Sequence, residues 1–355
     1  MGGAQTHVSL LIEYMKNSGH TVLVMASPGG WLEERCKKLH ITFYPNIYFK
    51  NSYNPFNLIQ ALHGVRTIAY QMKPQVVHCH SGGGGFFGRL GTIGIPAKKI
   101  FTAHGWSFRR GVPIPQRIIG WLGELLMRPL TDMTICVSEF DRTLGLRSSV
   151  ISLNSSVVVY NGVPIQNSKV PSQIHEKIHI IFAGRYAPPK RQDLLIEAVS
   201  YLPEDLRDRI SIQLLGNGPE REQLENLAEK LNISSITHFD SLPTERMGEA
   251  YLSSNLLVLI SDYEAFPMVI LEAMSYGLPI IASKVGGIPE IVDEHVGVLI
   301  PPRSTAEAIS KILQRVLSNT LELERYGVRA KRRIEESFSV ELMCKKVEEL
   351  YAITK

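Results

Sequence analysis

The chain has 355 residues, of which 44% are hydrophobic and 20% are charged, and its formal net charge at pH 7 is +4. This length exceeds one typical hydrophobic core and predicts two domains of roughly 150 to 200 residues each. The composition excludes a disordered or fibrous chain. The mild basic excess permits anionic ligands or an anionic membrane surface, and no basic-aromatic pattern points to nucleic acid as a partner.

Four scattered cysteines, at positions 36, 79, 136 and 344, form no Cys-x-x-Cys pair. We expect reduced, mostly buried residues of a cytoplasmic protein. The sequence shows no signal peptide and no apolar run of about 18 residues, so we expect no membrane-spanning helix. His78-Cys79-His80 is a conceivable metal site, but adjacent strand positions alternate faces and no further ligand cluster with metal spacing accompanies it. We therefore expect no bound metal.

Strand-like apolar runs alternate with helical segments along the whole chain. In the first half we predict strands at Thr21–Ala26, Gln75–Cys79, Lys99–Ala103, Met133–Val137 and Val157–Tyr160. The helices predicted there are Thr6–Asn17, Phe56–Met72 and Glu139–Leu146. In the second half the predicted strands are Ile178–Ala183, Ile210–Leu215, Ile236–Phe239, Leu256–Ile260 and Ile280–Ala282. The predicted helices are Gln192–Leu202, Glu220–Leu231 and Met268–Tyr276. The alternation predicts an α/β chain with parallel sheets.

A polar stretch interrupted by Gly and Pro, residues 161–173, separates the two sets and predicts a linker. We therefore place an N-terminal domain at residues 1–163 and a second domain at 164–338. A final helix is predicted over Val340–Ile353, within a closing segment of residues 339–355.

Two glutamates, Glu264 and Glu272, stand eight positions apart in the second half of the chain. The spacing alone is uninformative, because it recurs on ordinary helical surfaces. Its context is more specific: a buried strand precedes Glu264, Pro267 suits the first turn of a helix, and Gly277 suits its end. Glu264 is thus expected in a strand-to-helix loop and Glu272 inside the helix.

This loop is a candidate anion site. Ligands bind beyond the carboxyl ends of parallel strands, and a helix N-terminus offers free N–H groups to a phosphate. Backbone amides around Phe266 and Met268, on either side of Pro267, could hold such an anion, and the two glutamates would accept hydrogen bonds from hydroxyl groups beside it. A sugar nucleotide presents hydroxyls at both ends. The alternative is two surface glutamates on a capped strand-helix unit.

The segment resembles the Glu-x7-Glu motif of retaining GT-B glycosyltransferases, in particular of the GT4-type family. The resemblance implies that Glu264 contacts the hydroxyls of the donor sugar and that Glu272 contacts the ribose. The following residues, 277–290, are similar to the family's continuation into a second glycine loop. The fold implied is GT-B: two Rossmann-like parallel-sheet domains that face a cleft, with the last helix packing back toward the N-terminal domain.

A second group of candidate residues follows the strand at Ile178–Ala183. Gly184 lets backbone approach a ligand, Arg185 offers a planar fork and Lys190 a compact charge. The alternative is a pair of surface cations at a helix start, where the helix dipole disfavours them. By resemblance, Arg185 and Lys190 neutralise the donor diphosphate.

Gly216 and Gly218 repeat the pattern of strand, glycine turn and helix, although a lone Gly-x-Gly is weak evidence for a nucleotide. No third glycine completes a dinucleotide fingerprint. By resemblance this loop borders the donor, and Phe239–Leu242 lies beside the base.

In the first half, His104 directly follows a predicted strand and precedes Gly105. A lone histidine is more often structural, but the match to the family's His-Gly implies a contact with the donor sugar. His80 ends the neighbouring strand and is a candidate for the acceptor side. The four glycines at positions 82–85 predict a mobile loop or a plain linker.

A helix predicted over Gln116–Arg128, preceded by Arg109 and Arg110, carries Trp and aliphatic residues between arginines. Such a helix can lie on an anionic bilayer, or it can be an ordinary packed helix. The bilayer alternative fits an acceptor carried on a lipid.

The first residues, Met1–Val8, resemble the family's glycine loop, in which Gly3 would lie near the donor phosphates. In the family this loop follows the first strand, and here nothing precedes it. We expect that the chain as given lacks an N-terminal strand of about 5–6 residues.

The resemblance, together with these residues, implies a retaining, hexosyltransferase-type enzyme that moves a sugar from a nucleotide-diphosphate sugar, with a UDP-sugar favoured, to a glycan or polyprenyl-linked acceptor in bacterial surface polysaccharide synthesis. No Asp-x-Asp occurs, so neither a metal nor another cofactor is expected. The alternatives are a GT-B-shaped nucleotide-sugar epimerase and a non-catalytic nucleotide-sugar binding protein. We expect a cytoplasmic enzyme, with peripheral binding to the inner face of the plasma membrane as an option.

Overall fold

A computed structural model describes residues 2–51, 54–109, 111–167, 177–243 and 246–352. Contacts divide the chain into two compact units, Met1–Asn161 with Val340–Lys355, and Gly162–Ser339. We call them the N-terminal and the C-terminal unit. Residues 168–173 of the predicted linker lie outside the described residues.

The described strands of the N-terminal unit are all parallel and form two sheets. The strands are β1 (Leu23–Ala26), β2 (Thr42–Pro45), β3 (Val76–His80), β4 (Lys98–Ala103), β5 (Met133–Cys136) and β6 (Ser156–Val158). β1 pairs with β2, and the order in the other sheet is β3-β4-β5-β6. The five predicted strands are confirmed to within two residues at their ends, and β2 was not predicted.

Among the described residues, the α-helices that accompany these strands are α1 (Gly3–Asn17), α2 (Trp31–Lys38), α3 (Pro55–Met72), α4 (Gly82–Gly91), α5 (Ile114–Met127) and α6 (Glu139–Arg147). Local chemistry explains several boundaries. The Asn54 side chain accepts a hydrogen bond from the Phe56 N–H at the start of α3, and Ser138 does the same for Asp141 in α6. The last turn of α3 closes at Lys73 in the left-handed conformation, with φ of 46°.

The glycine-rich run after β3 was expected to be a loop, and that expectation is wrong, because it forms α4. A Cβ on Gly85 would stand 2.5 Å from the Phe101 ring, and one on Gly88 would stand 2.3 Å from Cys79 Sγ. Glycine thus permits this helix to lie close against the sheet. Tertiary packing here outweighs the poor helix propensity of glycine.

The C-terminal unit contains a parallel six-stranded sheet in the order β12-β11-β10-β7-β8-β9. Its strands are β7 (Ile178–Ala183), β8 (Ile210–Leu215), β9 (Thr237–Asp240), β10 (Leu256–Leu259), β11 (Ile280–Ser283) and β12 (Gly297–Ile300). All four residues of β10 and of β11 are buried, as expected for strands covered on both faces. The five predicted strands are confirmed, whereas β12 was not predicted.

The helices of this unit are α7 (Gln192–Ser200), α8 (Glu204–Arg207), α9 (Arg221–Lys230), α10 (Met247–Leu252), α11 (Met268–Ser275), α12 (Ile288–Ile291), α13 (Ala306–Leu317) and α14 (Thr320–Ser337). Pro267 occupies the N-cap position of α11, and Gly277, with φ of 80°, follows its end. The sequence predicted this helix over Met268–Tyr276, so its start is confirmed and its end differs by one residue.

The last helix, α15 (Val340–Ala352), belongs to the N-terminal unit. It packs on α1, with Met343 and Val347 in one core cluster with Leu11 and Met15. Its predicted last residue, Ile353, lies outside the described residues. All four cysteines are buried and unpaired, as predicted. Among the described residues, no helix has the length and apolar character needed to cross a bilayer.

Candidate active site

The C-terminal sheet reverses its direction of growth between β7 and β10. From β7 the chain adds β8 and β9 on one side, and it then returns to add β10, β11 and β12 on the other. In open α/β sheets a ligand crevice lies at such a switch point, beyond the carboxyl ends of the two strands. The loops that follow β7 and β10 are those that carry most of the predicted donor-site residues.

These two loops are hydrogen-bonded to each other. The Arg191 N–H donates to the Ile260 carbonyl at 3.0 Å, and the Asp262 N–H donates to the Pro189 carbonyl at 2.8 Å. A β-bridge joins Lys190 to Ser261. Lys190 and Glu264 are therefore held by paired backbone rather than by free loops.

The side chains of Lys190 and Glu264 form an ion pair with 2.6 Å between Nζ and Oε1. Ser261 Oγ donates to the same carboxylate oxygen at 2.8 Å. The two charged side chains are 15% and 13% exposed, so the pair lies largely out of water while keeping an accessible edge. The sequence predicted both residues but not their direct pairing.

Arg185 lies at the start of the loop after β7, beside Gly184, and its side chain is exposed. Within the described part of the chain, no carboxylate forms an ion pair with it. A guanidinium and an ammonium group thus follow the same strand, and the guanidinium is open to solvent. This arrangement suits an anionic ligand.

The glycines of the neighbouring loop have a packing role. A Cβ on Gly216 would stand 2.0 Å from the Gly184 carbonyl oxygen, and one on Gly218 would stand 2.3 Å from that of Tyr186. A Cβ on Gly184 would in turn meet Lys190 Cε at 3.1 Å. Close approach of the loops after β7 and β8 therefore accounts for Gly216 and Gly218 without a ligand. Their contact with the donor stays a prediction.

The segment after Glu264 is fixed by the second glycine loop. The Gly287 N–H donates to the Glu264 carbonyl at 3.1 Å. Gly286 has φ of 55°, and a Cβ there would stand 1.6 Å from the same carbonyl oxygen. The Phe266 ring is buried with its centroid 5.6 Å from that of Phe338. Phe266 is thus turned into the core, and the Met268 amide stands at the first position of α11.

Glu272 lies inside α11, one turn beyond Met268. It accepts a hydrogen bond of 2.9 Å from the Tyr251 hydroxyl to Oε2. Burial raises the pKa of Glu272, and the hydrogen bond from Tyr251 opposes that shift. Tyr251 was not singled out in the sequence, because nothing there links residues of α10 and α11.

In the N-terminal unit, His104 directly follows β4 and lies beside His80, the last residue of β3. His80 Nδ1 is 3.2 Å from His104 Nε2. His7, on α1, packs its ring edge-on against His104 with 4.8 Å between centroids. Gly3 begins the same helix. The sequence pointed to His80 and His104 separately and missed His7.

The grouping corrects one expectation. His80 was expected to have no further metal-ligand cluster near it, because His78-Cys79-His80 showed none in the sequence. In three dimensions His7, His80 and His104 each offer a ring nitrogen, and these atoms lie within 4.8 Å of one another.

The helix α5 carries an exposed apolar surface, the α5 stripe. It consists of Ile114, Ile118, Ile119, Leu122 and Leu126, which are between 44% and 69% exposed. Four of these recur every fourth residue and so share one helix face. The opposite face is buried: Glu124 pairs with Arg89 at 2.9 Å, and a Cβ on Gly120 would stand 2.3 Å from Ser107 Oγ. Arg110, part of the basic lead into this helix, lies outside the described residues.

Two family models match the chain one after the other. The model for Glycosyltransferase Family 4 matches residues 1–167, and the model for glycosyl transferases group 1 matches residues 165–333. Together they cover residues 1–333, which include most of both structural units.

Related proteins and solved structures are also glycosyltransferases or resemble this chain in fold. The chain is 27% identical to the O-antigen biosynthesis glycosyltransferase WbnH of Escherichia coli over 336 residues, which cover 93% of this chain and 91% of that protein. It is 26% identical to the sulfoquinovosyl transferase SQD2 of Arabidopsis thaliana, covering 88% of this chain and 63% of that one. The structure of HepE from Anabaena in complex with UDP-glucose superposes with a TM-score of 0.81 at 18% identity, over 100% of this chain and 97% of that one. The chain has the two-domain GT-B fold and belongs to the GT4-type family of glycosyltransferases.

Proposed function

We propose that the enzyme transfers a sugar from a nucleotide-diphosphate sugar, with a UDP-sugar favoured, to a glycan or lipid-linked acceptor, with retention of anomeric configuration. The observation that carries this proposal is the pairing of Lys190 with Glu264 at the switch point of the C-terminal sheet, beside the exposed Arg185. The ammonium group of Lys190 suits a phosphate, and the carboxylate of Glu264 beside it suits a sugar hydroxyl. The similarity to WbnH favours an acceptor in surface polysaccharide synthesis, and the similarity to HepE with UDP-glucose favours uridine.

In the proposed reaction the bond between the anomeric carbon and the diphosphate oxygen breaks, and a bond from the acceptor oxygen forms on the same face. The diphosphate gains negative charge while the sugar becomes oxocarbenium-like. Arg185, Lys190 and the amides at the start of α11 would stabilise the departing diphosphate, so no metal is required. A diphosphate oxygen would take the proton of the acceptor hydroxyl.

The remaining residues would orient the donor. Glu264 would accept hydrogen bonds from hydroxyls of the donor sugar, and Glu272 from the ribose. His104 would contact the sugar, and Gly3, Gly184, Gly216 and Gly218 would border the phosphates. Neither glutamate is assigned as a nucleophile.

We further propose that the α5 stripe binds an anionic bilayer, which would bring the enzyme to a lipid-linked acceptor. Five large aliphatic side chains on an exposed helix face suit the interface, and arginines at both ends of α5 suit anionic headgroups. Arg117 and Arg128 bond to backbone carbonyls, of Phe108 and Ser149.

The bilayer proposal is tested by flotation with vesicles of phosphatidylglycerol and phosphatidylcholine against phosphatidylcholine alone. We expect binding only to the anionic vesicles, and its loss in Ile118→Glu and Leu122→Glu. Leu153→Glu changes a leucine outside α5 that is more exposed than either of these residues, and this variant should bind as the wild type does. Equal flotation of all variants would contradict the proposal.

Transfer is tested after a thermal-shift screen of UDP- and GDP-sugars has identified the donor. The labelled donor is then incubated with a crude bacterial lipid extract. We expect label in the lipid or glycan fraction with the wild type and none with Glu264→Ala, which should still bind the nucleotide. A changed sugar in the nucleotide pool without an acceptor would indicate an epimerase, and binding without turnover would indicate a binding protein; both results would contradict transfer.

A further inference from the structure

We propose that His7, His80 and His104 form a binding site for one borderline-soft divalent metal ion of the Zn²⁺ class, within the N-terminal unit. Each residue offers one imidazole nitrogen, and these nitrogens lie within 4.8 Å of one another. Three histidines with a water molecule in the fourth position are an established ligand set for Zn²⁺. Carboxylates, which hard ions such as Mg²⁺ prefer, are not part of the set.

The backbone presents the three rings to one point. β3 and β4 are paired in parallel with His80 opposite Thr102, so His104 emerges two residues beyond that register at the same edge of the sheet. His7 reaches the point from α1, and its ring centroid is 5.6 Å from that of His80 and 4.8 Å from that of His104. The cluster therefore combines two strand ends with a packed helix.

Burial keeps the three imidazoles uncharged. Burial lowers the pKa of His7 to about 4 and holds those of His80 and His104 well below the usual histidine value. All three rings are therefore neutral at pH 7 and carry a lone pair. Because His80 Nδ1 and His104 Nε2 are hydrogen-bonded at 3.2 Å, one of these two nitrogens carries a proton, which must move to the far nitrogen of its ring before both can bind a metal.

His7 shows the second feature of a metal ligand. Its Nδ1 lies 2.9 Å from Asn161 Oδ1, an acceptor, so Nδ1 carries the proton and Nε2 carries the lone pair. Nε2 is buried and has no hydrogen-bond partner among the described residues. A hydrogen bond from the far nitrogen to an oxygen is the usual outer support of a metal-bound histidine.

The cluster would contract slightly on binding. Zn–N bonds of about 2.0–2.1 Å at tetrahedral angles bring ligand nitrogens to roughly 3.3–3.4 Å from one another. His80 and His104 already have 3.2 Å between Nδ1 and Nε2. The three nitrogens lie within 4.8 Å of one another, so His7 would have to approach the other two by up to roughly 1.5 Å, through rotation of its side chain.

The neighbouring His78 is excluded from the site and gives a matched control. Its Nδ1 is 2.6 Å from the Tyr351 hydroxyl and its Nε2 is 2.7 Å from Thr102 Oγ1. Both ring nitrogens are engaged, although its ring centroid is only 4.1 Å from that of His80.

The site has a regulatory consequence that rests on the proposed function. A metal bound by His104 would occupy the nitrogen proposed to contact the donor sugar. Zn²⁺ would then inhibit transfer, and a chelator would restore it.

The test uses the full chain stripped of metal and no donor, so that its outcome does not depend on transferase activity. Zn²⁺ binding is measured by calorimetry, and Co²⁺ binding by the visible absorption of a tetrahedral complex. We expect one equivalent to bind and to raise the melting temperature. His7→Gln and His80→Gln should each weaken binding by about a hundredfold or more, and Asn161→Ala by about tenfold to a hundredfold.

His78→Gln, and His63→Gln at an exposed surface position, should leave the stoichiometry and affinity unchanged. Circular dichroism checks that each variant is folded. Two results would overturn the proposal: wild-type protein that binds neither ion, or folded His7→Gln that binds as tightly as the wild type.

Discussion

Lys190→Met tests the role of the ion pair at the switch point. Methionine keeps most of the length of the apolar stem and removes the charge. Glu264 would retain the hydrogen bond from Ser261 Oγ at 2.8 Å, so its position should be largely preserved. The variant therefore separates the charge of Lys190 from the local structure.

The expected effects on rate and on stability differ in size. Loss of one preorganised electrostatic group costs about 10²–10³ in kcat, which is about 2.7–4 kcal/mol. An exposed ion pair contributes about 0–1 kcal/mol to stability, and breaking a fully buried one costs about 3–5 kcal/mol. Side chains that are 15% and 13% exposed fall between these limits. The protein should remain folded at 25 °C and lose most of its turnover.

The assay is donor turnover under saturating donor, with the folded fraction measured by thermal unfolding. Arg191→Met is the matched control, since Arg191 is the next residue and also forms ion pairs, with Asp193 and Asp262, but has no proposed role in the site. It should lose less than about threefold in rate. Equal kcat values for Lys190→Met and Arg191→Met would refute the reasoning.

Three further results are expected. Glu272→Gln should weaken nucleotide affinity about ten- to a hundredfold by calorimetry, the cost of a charged hydrogen bond of about 1.5–3 kcal/mol; unchanged affinity would remove Glu272 from the ribose site. EDTA should leave turnover of metal-stripped enzyme unchanged, whereas loss of activity that Mg²⁺ or Mn²⁺ restores would contradict the metal-free mechanism. Because burial lowers the pKa of His7 from 6.5 to about 4, its contribution of about 3 kcal/mol is present above pH 6.5 and is lost as the pH falls toward 4. Urea unfolding followed by tryptophan fluorescence, which reports the N-terminal unit because all three tryptophans lie there, should show this slope, and the slope should be smaller in His7→Gln.

The sequence predicted best where local chemistry decides structure. The strand before Glu264, β10, is a continuous apolar run, and Pro267 and Gly277 mark the ends of α11, so the loop that carries Glu264 could be located before its structure was known. The final helix was predicted over Val340–Ile353, and the structure describes it as Val340–Ala352.

The sequence did not predict the features that depend on contacts between distant segments of the chain. The glycines at positions 82–85 were interpreted as a mobile loop or a linker, although they begin α4, in which Gly85 packs closely against Phe101. The same limit applies to the sites. Lys190 and Glu264 are 74 positions apart, and His7 and Asn161 are 154 apart, so neither pairing leaves a local pattern.

The glycines after β7 and β8 show a different limit. Gly216 and Gly218 were interpreted through their freedom to approach a ligand, and the structure shows that packing alone also requires glycine at both positions. A glycine that close packing already requires gives no further indication that a ligand binds beside it. The donor contacts of these loops therefore depend on functional tests.

The measurement that tests the central claim most directly is proton NMR of the reaction in real time, with the identified donor, the lipid acceptor and EDTA. The anomeric signals of the donor sugar and of the product are followed together in wild type and in Glu264→Ala. The account predicts a product signal of the same anomeric configuration as the donor, formed by the wild type alone. A product of opposite configuration, or equal turnover by Glu264→Ala, would contradict it.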